Sequence, residues 1–210
     1  MKFQFSQFFK TILSKKRGRA DRHALFFVSL LNSLNYESPD MIDLSFKITA
    51  EQFKLSLDTH NSDRFIVRYS NGERTIVCPQ GTNFQDVHIQ AWLRKVVEEM
   101  LRKQAQDVFP KRLSELAREH GFSYKQVRIK NMKTRWGSCS SLGNINLSCY
   151  LILVPKHLSD YVMLHELCHT REMNHGKGFW RELNNCTGGK ADALRNELRP
   201  YIPYIEQRGV

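Results

Sequence analysis

The apolar positions of the chain follow two rhythms. From about residue 41 they alternate with polar ones. Ile42, Leu44, Phe46 and Ile48 are separated by Asp43, Ser45 and Lys47, and Phe53, Leu55 and Leu57 by Lys54 and Ser56. A period of two marks half-buried strands. Further on, "RFIVRYSNGERTIVCP" has Asn71-Gly72 between two apolar runs, a strong hairpin signal. Residues 37–80 are therefore expected to form a small antiparallel sheet.

The rhythm then lengthens to that of a helix. Val87, Ile89, Trp92, Leu93, Val96, Val97, Met100 and Leu101 share one helical stripe. Thr82 and Gln85 have capping-box spacing at its start. Pro110 is expected to interrupt or restart the helix, which continues through Leu113 and Leu116 and ends near Gly121. "QVRIKN" (126–131) reads as a strand, "RWGSCSSLG" as a tight loop, and "NINLSCYLILVP" as a strand stopped by Pro155. A helix is expected from about Leu158 to Met173, where Asn174 and Gly176 can stop it. Two shorter helices follow, over 177–187 and 190–199. The fold class is α+β: the small sheet precedes a compact helix-and-strand domain over 81–210.

Composition changes this picture mainly at the N-terminus. The net charge is +11, and residues 1–22 carry Lys2, Lys10, Lys15, Lys16, Arg17, Arg19 and Arg22 against Asp21 alone. Residues 1–36 thus read as a basic arm with a short helix. Such an arm is either a solvated terminus or a contact for nucleic acid or an anionic surface. The cysteines, at 78, 139, 149, 168 and 186, are odd in number and form no CxxC pair. That speaks against a disulfide framework and a zinc knuckle. The run "ALFFVSLL" is too short to span a bilayer, and no cleavage site for a signal peptide follows it. A reducing, cytoplasmic compartment is the expectation.

The chemistry lies in "MLHELCHTREMNHGKGFW", Met163 to Trp180. His165 and His169 are four residues apart, so they share a helix face and can reach one ion. Glu166 sits where a general base can reach a water on that ion. A catalytic zinc needs a third protein ligand and an open fourth position. Glu172 shares the helix face, but the helical rise would leave it roughly 7–8 Å along the axis from such an ion. His175 lies past the stop signal, where a turning chain can bring it back, and is the expected third ligand. Metzincins would have glycine at position 172, so the chain is not of that class. Cys168 is expected to pack as a small apolar residue. The strand Gly143–Ser148, with Asn144 and Asn146, either binds extended substrate by strand addition or simply covers the core.

"RWGSCSSLGNINLSCYLILVP" followed by "DYVMLHELCHTREMNHGKGFW" closely resembles the YgjP-like metallopeptidase-domain family. The likeness is order-specific over about 125–181 and looser back to about 41. It implies a minimal zincin-like domain, zinc held by His165, His169 and His175, and Glu166 as general base. The hallmark "RWGSCS" would supply scaffold and cleft wall, or Arg135 would help polarise the substrate. Tyr201 and Tyr204 are weak candidates for an oxyanion donor. The family is similar to the SprT and WLM-type zinc metalloproteases, some of which act on DNA-bound proteins. The leading expectation is a zinc peptidase acting on peptides or unfolded protein. Its rivals are a metal-dependent nucleotide (UTP-type) pyrophosphatase, since some family members carry that label, and a nucleic-acid-associated module resting on the basic arm.

Overall fold

The computed structural model describes residues 41–61 and 63–201. The basic arm and Tyr204 lie outside the described residues. Among those described, no helix is long and apolar enough to cross a membrane.

The first sheet contains β1 (Lys47–Ala50), β2 (Phe53–His60), β3 (Ile66–Ser70) and β4 (Glu73–Pro79), in the order β1-β2-β4-β3. The expected hairpin joins β3 to β4. Asn71 and Gly72 take φ of 49° and 77°, the left-handed pair that a two-residue turn requires. The sheet is mixed, however, and not wholly antiparallel: β4 lies between β2 and β3 and runs parallel to β2. The reason is burial. Ile76, Val77 and Cys78 on β4 are all fully buried, whereas β3 is largely exposed. The strand that is apolar on both faces takes the centre. The alternation at residues 42–46 also proves not to be strand. The Asp43 carboxylate accepts from the amide and hydroxyl of Ser45, at 2.8 and 2.6 Å, and closes a turn that points Leu44 outward.

Helix α1 (Val87–Glu119) is one continuous element of 33 residues. Its N-cap is Asp86, whose carboxylate accepts from the amides of His88 and Ile89. Thr82 instead donates its hydroxyl to the Pro79 carbonyl. Pro110 neither ends nor restarts the helix. Phe109 and Leu113 beside it are fully buried, and packing of that face outweighs the proline penalty of about 3 kcal/mol. The end is as expected at Gly121, with φ of 69°. Gly121 N–H donates to the Arg118 carbonyl and Phe122 N–H to that of Ala117, a Schellman closure.

The second sheet contains β5 (Gln126–Lys130), β6 (Gly137–Cys139) and β7 (Asn144–Ser148), in the order β5-β7-β6. β5 runs parallel to β7, and β6 antiparallel to it. β6 lies inside the stretch read as a loop. After β7 the chain forms a fully buried 3-10 turn over Cys149–Leu153, where a strand was expected. The Ser148 hydroxyl caps that turn by accepting from the Tyr150 amide. Then come α2 (Lys156–Cys168), α3 (Lys177–Cys186), α4 (Ala191–Leu198) and a 3-10 turn at Arg199–Tyr201. One hydrophobic cluster runs from Ile42 to Leu198 and joins both sheets to α1 and α2.

Two polar links fix α1 in this core. Arg112 grips Asp160 of α2 through two hydrogen bonds of 2.9 Å. Gln90, buried on α1, accepts from the Ile42 amide at 2.8 Å and donates to the carbonyls of Ile42 and Phe84 at 2.8 and 2.7 Å. One side chain thus satisfies three backbone groups of two separate segments. Gln90→Leu leaves all three unpaired and should lower unfolding free energy by about 2–4 kcal/mol. Urea unfolding measures this, and a loss under about 1 kcal/mol would show that water replaces the clamp.

Candidate metal centre

Helix α2 carries the first two histidines into the core. Leu164, Leu167 and Cys168 are buried around them, and His169 is only 9% exposed. His165 and His169 lie one turn apart, and their Nε2 atoms are 3.2 Å from each other. The helix ends at Cys168, earlier than expected, with His169 as its C-cap. Residues 170–176 then turn back, and Nε2 of His175 arrives 3.1 Å from that of His165. One nitrogen from each ring lies within 4.8 Å of the other two.

Each feature of this cluster suits a cation. Two nitrogens on one tetrahedral zinc would stand about 3.3–3.4 Å apart, close to the distances here. Nδ1 of His169 lies 3.0 Å from the backbone carbonyl of Glu172, which can only accept. The proton is therefore on Nδ1, and Nε2 presents its lone pair to the cluster. Burial pushes His165 down to about 3, helped by the charges of His169, His175 and Arg195. His175 is lowered by burial first, then by His169 and Arg195. Neutral imidazoles are the form that binds metal.

The early end of α2 changes the position of Glu172. It is off the helix, so the argument from helical rise does not describe it. Its carboxylate lies over Gly178 at the start of α3, and its carbonyl orients His169. No described carboxylate joins the three histidines as a ligand group.

Glu166 follows His165 on α2, and its side chain lies against β6 at Gly137. It is 5% exposed, and its Oε2 is buried without a hydrogen-bond partner. Burial pushes its carboxyl up to about 8, opposed by the charge of Arg135. A cation held by the histidines would favour the carboxylate and work against that rise. Arg135 itself is exposed just before β6.

The other sequence candidates fall elsewhere. The strand at Gly143–Ser148 is not an edge: β7 is paired on both sides, so it cannot accept an added strand. Asn144 accepts from Gln126 and donates to Ser140, and Asn146 donates to Ser138, so both amides brace the sheet. Among the described residues, the edge strand beside α2 is β6. Tyr201 packs, partly buried, against the core. Cys168 is a fully buried small residue whose thiol burial pushes up.

Two residues of the centre were not singled out from the sequence. Phe179, fully buried on α3, meets all three imidazoles, with ring centroids 4.8, 4.6 and 4.7 Å from His165, His169 and His175. Arg195 on α4 stacks over Trp180 at 5.4 Å, and Trp180 lies 6.2 Å from His175. The available signal was "GKGFW", an aromatic pair four residues after His175, which reads equally well as ordinary core.

No curated protein matches the chain. Two archaeal structures are similar over part of it. The metallopeptidase zymogen abylysin of Pyrococcus abyssi is 24% identical, with a TM-score of 0.39, covering 42% of this chain and 89% of that one. The metallopeptidase zymogen jannalysin of Methanocaldococcus jannaschii is 25% identical, with a TM-score of 0.38, covering 42% and 91%. The YgjP-like metallopeptidase domain matches residues 21–200, most of the chain, which therefore belongs to the YgjP-like metallopeptidase-domain family and is a metallopeptidase-type hydrolase.

Proposed function

We propose that the chain is a zinc-dependent peptidase in which His165, His169 and His175 hold the metal and Glu166 is the general base. One observation carries this reading. Three imidazole nitrogens converge at one point, and the same helix holds a buried carboxyl oxygen that has no partner. A buried acid left unpaired is costly for stability and calls for a functional reason.

Zinc at such a site supplies Lewis acidity toward a carbonyl and lowers the pKa of water. The protein's own groups do the rest. Glu166 takes a proton at Oε2 from the water that attacks the peptide carbonyl and returns it to the amine that leaves as the C–N bond breaks. The Glu172 carbonyl keeps His169 in one tautomer. Phe179, fully buried, packs its ring against all three imidazoles. The free edge of β6 is the side on which an extended peptide can approach Glu166, with Arg135 at its start. The all-imidazole donor set does not suit the magnesium or manganese chemistry of a nucleotide hydrolase, which draws on oxygen ligands.

Two variants test the roles separately. Glu166→Gln keeps size and loses the base. It should reduce cleavage of an unfolded-protein substrate at least about 100-fold while zinc content stays at one per chain. Loss of zinc in that variant would contradict the base assignment. His165→Ala removes the nitrogen nearest to both others. Elemental analysis after dialysis should find its zinc content near zero, and retention would refute the ligand set.

A further inference from the structure

Glycine serves a backbone for conformation or for space. Gly143 illustrates the first: its φ of 71° closes the turn between β6 and β7. Gly137 illustrates the second. It sits within β6, opposite Leu147, and its φ is not in the left-handed region. Any residue could adopt that backbone. The space is another matter. A Cβ at Gly137 would lie 2.4 Å from Oε1 of Glu166, 2.6 Å from its Cγ and 2.7 Å from its Cδ. Carbon atoms in ordinary contact stand about 3.5–4.0 Å apart.

Glu166 has little freedom to move aside. Its neighbours on α2, Leu167 and Cys168, are fully buried, and the side chain itself is almost inaccessible. The carboxyl is therefore held against bare backbone. Oε1 lies on the strand side, near the Gly137 Cα, and Oε2 is the atom left without a partner.

We infer that Gly137 is a positioning residue for the reaction: its missing side chain makes β6 a flat wall that sets where the Glu166 carboxyl stands. The inference rests on the general-base reading of Glu166 given above. It also accounts for a glycine inside a strand, where the residue otherwise weakens pairing. A methyl group at this position forces the carboxyl to rotate or β6 to shift. Displacement of a reacting group by about 1 Å lowers rates steeply.

The test is Gly137→Ala in the full zinc-loaded chain, beside a double-mutant cycle with Glu166→Ala. Zinc content should stay at one per chain. The kcat for an unfolded-protein substrate should fall at least about tenfold, with KM little changed. The thermal midpoint should fall by several degrees in the native background. In the Glu166→Ala background, where all three clashing atoms are gone, the same substitution should leave the midpoint level or raise it. An unchanged kcat would overturn the inference. So would an equal loss of midpoint in both backgrounds, since the strand would then need its glycine for its own sake. If the native chain cleaves nothing, the peptidase reading falls, while the unfolding cycle still decides the pairing. Equal losses sink it, and a loss confined to the native background supports it.

Discussion

Three imidazole nitrogens gathered within 4.8 Å, two of them little more than 3 Å from that of His165, set the terms for the rest of this structure. Neutral lone pairs that close repel, and protonation of His165 and His175 is opposed by burial. The arrangement persists only because its surroundings over-determine it. α2 fixes two rings by helical spacing, the Glu172 carbonyl fixes the tautomer of one, and the Phe179 ring packs against all three. The core beneath these parts must be rigid, which explains why α1, the longest element, packs against α2 and locks to it through Arg112 and Asp160.

The two sheets contribute differently. The first fills the core, and Gln90 of α1 clamps the chain entering it at Ile42. The second brings a short edge strand to the helix that carries His165, Glu166 and the cap His169. β7 takes the central place in that sheet, with Ile145 and Leu147 fully buried. Among the described residues β6 is therefore left as the edge strand, paired on one side only, and α2 with Glu166 packs beside it.

Much of the centre was legible in the sequence because it is local. Spacing of four residues put His165 and His169 on one face, and the stop at "NHG" allowed His175 to return. Nothing in the sequence marked where α2 ends. His169 is the cap as well as a member of the cluster, and a helical rhythm that runs on to Met173 hides this. β6 was missed for a related reason: Gly137, Ser138 and Cys139 have little strand propensity, and only pairing with β7 makes them a strand. The parallel pairing of β2 and β4 was equally hidden. The Asn71-Gly72 hairpin was correct, yet a hairpin says nothing of which neighbour its second strand adopts on the far side. Pro110 carries the opposite lesson, since a strong local signal was overruled by packing.

The three histidines do not come from equivalent backbones. Two are carried by a buried helix, and the third, exposed, is carried by the short link between α2 and α3. If the three rings hold a metal as proposed, a ligand on such a link behaves as a latch. Opening residues 170–176 would withdraw His175 and leave α2 and its two rings in place, at far less expense than unfolding the core. In the proposed zinc site, grip on the ion and order in that link would be one equilibrium, and whatever steadies the start of α3 would also slow the ion's departure.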